Sequence, residues 1–177
     1  MKTSELIYKT AVSKITAVAE NPARLAKLRR GVGKKPGELP ELWEEVLEGI
    51  PEEIIGSNAE NAIYASLTMF SWHMLGSSKS VHVKGRTLGK ALYLLIESKN
   101  ISTDGLKMKL SAMVKAKTVT EMSVYLRGII SLLRSNGIGL DYGLLAIDIF
   151  YLQTQKYKND VTLRWARDLY KKENNHE

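Results

Sequence analysis

The sequence predicts an all-α protein of about eight or nine helices packed as two small helical bundles. Three observations carry that prediction. Apolar residues recur at helical spacing in most segments. Capping patterns, prolines and glycines bracket those segments. No stretch shows sustained alternation bounded by turn pairs, and SVHV (80–83) is too short to build a sheet.

Leu6, Ala11, Ile15 and Val18 mark the first helix, which ends near Asn21-Pro22. Pro22 opens a second, ARLAKLRR, at a position where the missing N–H costs little. GVGKKPGELP, rich in glycine and proline, is a loop. Pro40 then opens ELWEEVLEG, whose acids suit the positive end of a helix dipole, and Pro51 marks a further turn. Ser57-Asn58-Ala59-Glu60 is a capping box heading a helix from about Asn58 to Leu75. Ile63, Leu67, Phe70 and Met74 form its stripe, and Gly76 is its stop. GSSKSVHVKG is the expected mobile connection. Leu88–Ser98 is an apolar helix, and a basic one covers about Leu106–Lys115. Thr118–Glu121 is a second capping box, heading a helix to Arg134. Asp141 caps a helix from Tyr142 to about Gln155, and Asp160 one from Val161 to about Lys172. Trp43, Trp72 and Trp165 fall on apolar faces and read as core or subunit contacts. The chain is one domain, with an N-terminal lobe 1–80 and a C-terminal lobe 81–177 joined somewhere between Gly76 and Asp104.

The 177 residues hold no cysteine, so there are no disulfides or thiolate metal sites, as suits a reducing cytosol. MKTSELIYKT is too polar for a signal peptide, and no apolar run approaches the roughly 18–20 residues of a membrane span. The net charge is +7 and is unevenly placed. Residues 24–35 hold six bases and no acid, residues 36–78 eight acids and no base, and residues 79–117 nine bases against Glu97 and Asp104. Segregation of this kind makes a field that selects anionic partners.

The residues offer little for catalysis. Gly85, Gly89 and Lys90 in GRTLGK are near a phosphate loop, but the glycines stand one residue too close. Ala91 replaces the magnesium-holding Ser/Thr, and no buried strand precedes. The stretch reads instead as a helix entrance: Thr87 caps, Gly89 admits a close neighbour, and Arg86 and Lys90 share a face. His73, His82 and His176 have no metal-ligand spacing. Asp141 and Asp148 share a helix face, a weak nuclease signal without a third acid. The bases are better ordered: Arg127 and Arg134 lie seven apart, Arg164, Arg167 and Lys171 follow helical spacing, and Lys107, Lys109, Lys115 and Lys117 crowd one segment. Such rows can track a phosphate backbone without reading bases. Ion pairs to the acids of 38–60 are the competing account.

LAKLRRG, ELWEEVL, GRTLGKAL, the block LRGIISLLRSNGIGLDYGLLAIDIFYL and VTLRWARDLY follow one another from about Leu25 to Tyr170. In that order and spacing the chain resembles the CasB family, the small subunit of the type I-E CRISPR surveillance complex Cascade. The resemblance implies an all-helical, non-catalytic, cytoplasmic protein of two helical lobes without cofactor or metal. It implies two copies side by side, contacting the backbone subunits that carry the CRISPR RNA and the large subunit. Their basic surfaces would hold target and displaced DNA strands and stabilise the RNA–DNA hybrid loop, sequence choice lying with the guide and cleavage with a separate helicase-nuclease. The matched motifs carry Arg29, Arg30, Arg86, Lys90, Arg127 and Arg134 as nucleic-acid-binding residues. Position 90 is often arginine in the family; lysine keeps the charge without the bidentate fork. Lys34, Lys35, Lys84, Lys107, Lys109 and Lys115 join them on charge alone. Arg164 and Arg167 could equally pair with Asp168 or Asp141. A pure protein scaffold without DNA contact, and a small metal-dependent nuclease, are the alternatives.

Overall fold

The computed structural model describes residues 2–99 and 101–170, and these fold into nine α-helices with no β-strand among the described residues. They are α1 (Thr3–Val18), α2 (Pro22–Arg30), α3 (Trp43–Leu47), α4 (Asn58–His73), α5 (Leu88–Glu97), α6 (Thr103–Lys115), α7 (Val119–Ser135), α8 (Tyr142–Leu152) and α9 (Gln155–Tyr170). The all-α expectation therefore holds.

α4 is the hub. Thirteen of its sixteen residues are buried, as suits a helix apolar on nearly all sides. It packs against α1, α2, α7 and α8, while α5 lies on α9 and α6 on α7. The main core joins Leu28 and Phe70 with Leu126, Tyr142 and Trp165, drawing on both halves of the chain. At roughly 1.5–3 kcal/mol per fully buried large side chain, this apolar burial is the main force holding the helices together.

The local signals act much as their chemistry requires. Asn21 accepts from Arg24 N at 3.1 Å ahead of Pro22, and Thr87 accepts from Lys90 N at 3.2 Å. Both capping boxes form in modified versions: each glutamate reaches one residue further back than usual, and Ser57 caps the second rather than the third helical N–H. Glu60 accepts from Gly56 N and Glu121 from Lys117 N, while Ser57 and Thr118 take the helix N–H groups of Ala59 and Glu121.

α6 and α9 both start earlier than the sequence reading places them. α6 starts at Thr103, three residues early, because Ser102 caps it through Gly105 N at 3.0 Å. α9 starts at Gln155, so Asp160 is not its cap but lies inside it. The polar stretch QKYKND shows no apolar stripe, yet a tight turn from α8 fixes it, and Lys158 Nζ donates to Val114 O and Ala116 O, closing the end of α6. Lys171, Lys172 and His176 lie outside the described residues. The expected mobile connection is fastened: Val83 N donates to Leu140 O (3.0 Å) and Leu140 N to Val81 O (3.1 Å), a single parallel bridge pairing His82 with Leu140.

Candidate nucleic-acid interface

The predicted basic residues fall into separate groups. The group with least compensation gathers at the C-terminal end of α4. Arg29, in the last turn of α2, donates to Ser71 O at 3.4 Å, and Arg134 of α7 donates to Trp72 O at 3.1 Å. The guanidinium of Arg127 lies 5.6 Å and that of Arg134 5.2 Å from the centroid of the Trp72 ring. The indole N–H donates to Ser131 Oγ (2.9 Å), whose hydroxyl donates to Arg127 O (2.8 Å). Carbonyls at a helix C-terminus and an aromatic face both favour cations without cancelling their charge. None of the three arginines forms an ion pair with an acid among the described residues.

The strip continues through the GRTLGK stretch. Arg134 and Arg86 line a common cleft of about 470 Å³ with Lys79, Ser77 and His73. Arg86 also lines a second cleft, about 440 Å³, with Lys84 and Lys90. The stretch is held rigidly. Gly85 sits at φ +79°, a left-handed conformation costly for other residues, and its N–H donates to Asp141 Oδ2 at 2.7 Å. Arg86 donates to Gly139 O at 3.3 Å. Thr87 Oγ1 donates to Asp168 Oδ2 at 2.5 Å. GRTLGK is thus a turn entering α5, with Arg86 and Lys90 beside one cleft.

Other expected residues stand apart. Arg30 meets Glu41 at 3.9 Å and Lys34 meets Glu38 at 3.3 Å. Arg24 and Lys27 each approach the buried carboxylate of Glu45 at 3.6 Å. Much of the basic run 24–35 is therefore met by the acids that follow it. Lys34 and Lys35 line a different cleft, about 580 Å³, with Lys117 and Lys158 below the start of α7. Lys107 lies 5.5 Å from the Tyr170 ring, and the Tyr170 hydroxyl raises its pKa. Lys107 and Lys115 rim an apolar groove of about 340 Å³ between α6 and α9; Lys109 is exposed on α6.

The two acids of the nuclease alternative are engaged by the protein itself. Asp141 caps α8 through Gly143 N and Leu144 N, and also takes Gly85 N and the Tyr8 hydroxyl. Asp148 accepts from Trp165 Nε1 at 2.7 Å and pairs with Arg164. Arg164 thus pairs with Asp148, not with Asp168 or Asp141. Burial pushes the Asp148 carboxyl up to about 6, with Arg164 pulling the other way. His73 bonds Tyr142 Oη at 2.7 Å, and burial, aided by the Arg134 charge, lowers it to about 4. It is a neutral core histidine. No group of three His, Asp or Glu among the described residues could hold a metal. No helix among them is long and apolar enough to cross a membrane.

Two features escaped the sequence reading. Trp72 is the platform of two arginines rather than a simple core residue. Trp43 is 49% exposed, its indole N–H on Gly37 O at 3.0 Å, so only Trp165 of the three tryptophans is fully buried.

Fold and surface together define a class: a small all-helical protein with an arginine-rich strip held by carbonyls and one indole. The chain belongs to the CRISPR-associated protein Cse2 family, whose sequence model matches residues 24–170. The crystal structure of CasB from Thermobifida fusca is similar, at 27% identity and TM-score 0.72, covering 96% of this chain and 98% of that one. CasB from Thermus thermophilus shares 24% identity at TM-score 0.65, over 96% of this chain and 99% of that one. A chain of a CRISPR RNA-guided surveillance complex shares 22% identity at TM-score 0.69, over 92% of each. No curated protein sequence matches.

Proposed function

We propose that this chain is a non-catalytic structural subunit of a type I-E CRISPR surveillance complex, gripping nucleic-acid backbone without reading bases. In that role it steadies the hybrid loop between target DNA and CRISPR RNA during antiviral defence in the cytoplasm. It works as a pair of copies against the backbone and large subunits. Membership in the Cse2 family supports the setting. The observation that carries the grip is the set of Arg29, Arg127 and Arg134 oriented by Ser71 O, Trp72 O and the Trp72 ring with no acid paired to them. Oriented but uncompensated cations suit phosphates, whose recognition supplies affinity without sequence choice.

The test is an anisotropy titration of the full chain with a labelled duplex of arbitrary sequence, across salt. Affinity should fall steeply with salt, and Arg127→Ala with Arg134→Ala should flatten the log–log slope by about 1.8, at roughly 0.9 per lost phosphate contact. Unchanged binding by the folded double variant would overturn the assignment. The scaffold reading draws on the apolar groove between α6 and α9, a surface suited to a protein segment. Crosslinking assembled complex to DNA separates the two: a scaffold gives no adducts along the arginine strip.

A further inference from the structure

We propose that Trp72 is a positioning residue for the nucleic-acid grip: its indole holds Arg127 and Arg134 in one arrangement ready for adjacent phosphates. This rests on the grip proposed above and says how it is kept in order. Arg127 and Arg134 are separated by seven residues on α7, about 10.5 Å of helix rise, and carry like charges on long side chains. Left alone, each would sample many rotamers and avoid the other. Trp72, arriving from α4, lies 5.6 Å and 5.2 Å from the two guanidiniums. A ring face attracts both cations and offsets part of their repulsion.

The indole is itself fixed. Its N–H bonds Ser131, which sits between the two arginines on α7 and bonds back to Arg127 O. Arg134 is further tied to the carbonyl of Trp72. Tryptophan, serine and both arginines therefore form one unit linking α4 to α7. Its product is a pair of guanidiniums whose rotamer freedom is reduced before any ligand arrives, so less ordering remains to be done on binding.

The experiment measures duplex binding by the full chain across salt for Trp72→Leu, Trp72→Phe, the Arg127→Ala/Arg134→Ala double variant, and the double variant combined with Trp72→Leu. Thermal melts confirm that each is folded. Trp72→Leu should weaken binding roughly tenfold, about 1.4 kcal/mol, with an unchanged salt slope, because the arginines still reach phosphates but less ready-set. Trp72→Phe keeps a ring face and should recover most of the loss. Adding Trp72→Leu to the double variant should change nothing further. Additive losses would mean that Trp72 contacts the nucleic acid itself and would overturn the positioning role. So would a folded Trp72→Leu that binds within twofold of the parent while the arginine double variant is weakened. Parent-like binding by the arginine double variant defeats the grip itself, a different result from either of these.

Discussion

Replacing Gly89 by alanine tests how tightly the GRTLGK entrance is clamped. A methyl there would stand 2.7 Å from Asp168 Cβ, 2.9 Å from Trp165 O and 3.0 Å from Trp165 Cα. None of these can yield easily. Two are backbone atoms of α9, Trp165 is anchored by its indole bond to Asp148, and Asp168 is held by Thr87. α5 and α9 must therefore separate by several tenths of an ångström. Such overpacking costs about 1–3 kcal/mol, against about 1 kcal/mol gained from alanine's helix propensity. The net expectation is a loss of about 1 kcal/mol. Gly128 on α7 is the control: it is exposed and a Cβ there meets nothing within 4 Å. Gly128→Ala should gain about 1 kcal/mol from the same propensity term. The two variants should then differ by about 2 kcal/mol in urea unfolding, or roughly 4–8 °C in Tm for a domain of this size. Equal stability of the two, or a Gly89→Ala protein more stable than its parent, would refute the close approach of α5 and α9.

Further expectations follow from the buried ionisable groups and the neutralised bases. His73, lowered to about 4, refuses the proton that the unfolded chain accepts below about 6.5. Its folded pKa is depressed, so stability present above about pH 6.5 is lost as pH falls toward 4, about 2 kcal/mol of it by about pH 5. A His73→Gln protein should lose less over that range, so the urea-stability gap to the parent narrows; a constant gap defeats the assignment. Asp148→Ala strands the buried indole N–H of Trp165 and should cost about 2 kcal/mol. Asp148→Asn, which keeps an acceptor, should cost less, and the reverse order would sink that account. Arg30→Ala and Lys34→Ala, each removing a cation already paired with an acid, should alter duplex affinity by no more than about twofold, since exposed pairs of this kind leave little free field. Losses equal to that of Arg127→Ala would show that these pairs do not neutralise.

Signals confined to a few neighbouring residues were legible. Thr87 and Asp141 could be read as caps because the bonds they make span two or three positions. Gly89 could be read as a close-approach site because nothing else explains a glycine at the start of an apolar helix. The start of α9 was illegible because QKYKND carries no apolar stripe; a turn and a lysine reaching α6 hold it. Arg127 and Arg134 could be read as one helical row, but their link to Trp72 could not, since Trp72 and Arg134 are 62 positions apart and only the crossing of α4 and α7 joins them. Charge counting left two accounts open, and for the run 24–35 the ion-pair account largely holds. Blocks of bases and acids that look segregated along the chain meet across the loop between α2 and α3, where Arg24, Lys27, Arg30 and Lys34 find Glu45, Glu41 and Glu38.

That contrast separates two kinds of basic residue in one protein. A cation paired with a carboxylate contributes little beyond its neighbourhood, because the field of two opposite charges falls off faster than that of one, and salt screens what remains over roughly 8–10 Å. A cation oriented by a carbonyl or an aromatic ring keeps its full charge, since a dipole or quadrupole fixes direction without supplying a counter-charge. Arg29, Arg86, Arg127 and Arg134 are of the second kind, on Ser71 O, Gly139 O, the Trp72 ring and Trp72 O. They come from three separate segments and are oriented largely by a fourth, α4, so the strip is a product of tertiary packing and survives only while α2, α4, α7 and the bridged 81–86 segment keep their places. Stability and grip are coupled through the same contacts, and a core substitution that shifts α4 against α7 should weaken nucleic-acid binding even where every arginine is retained.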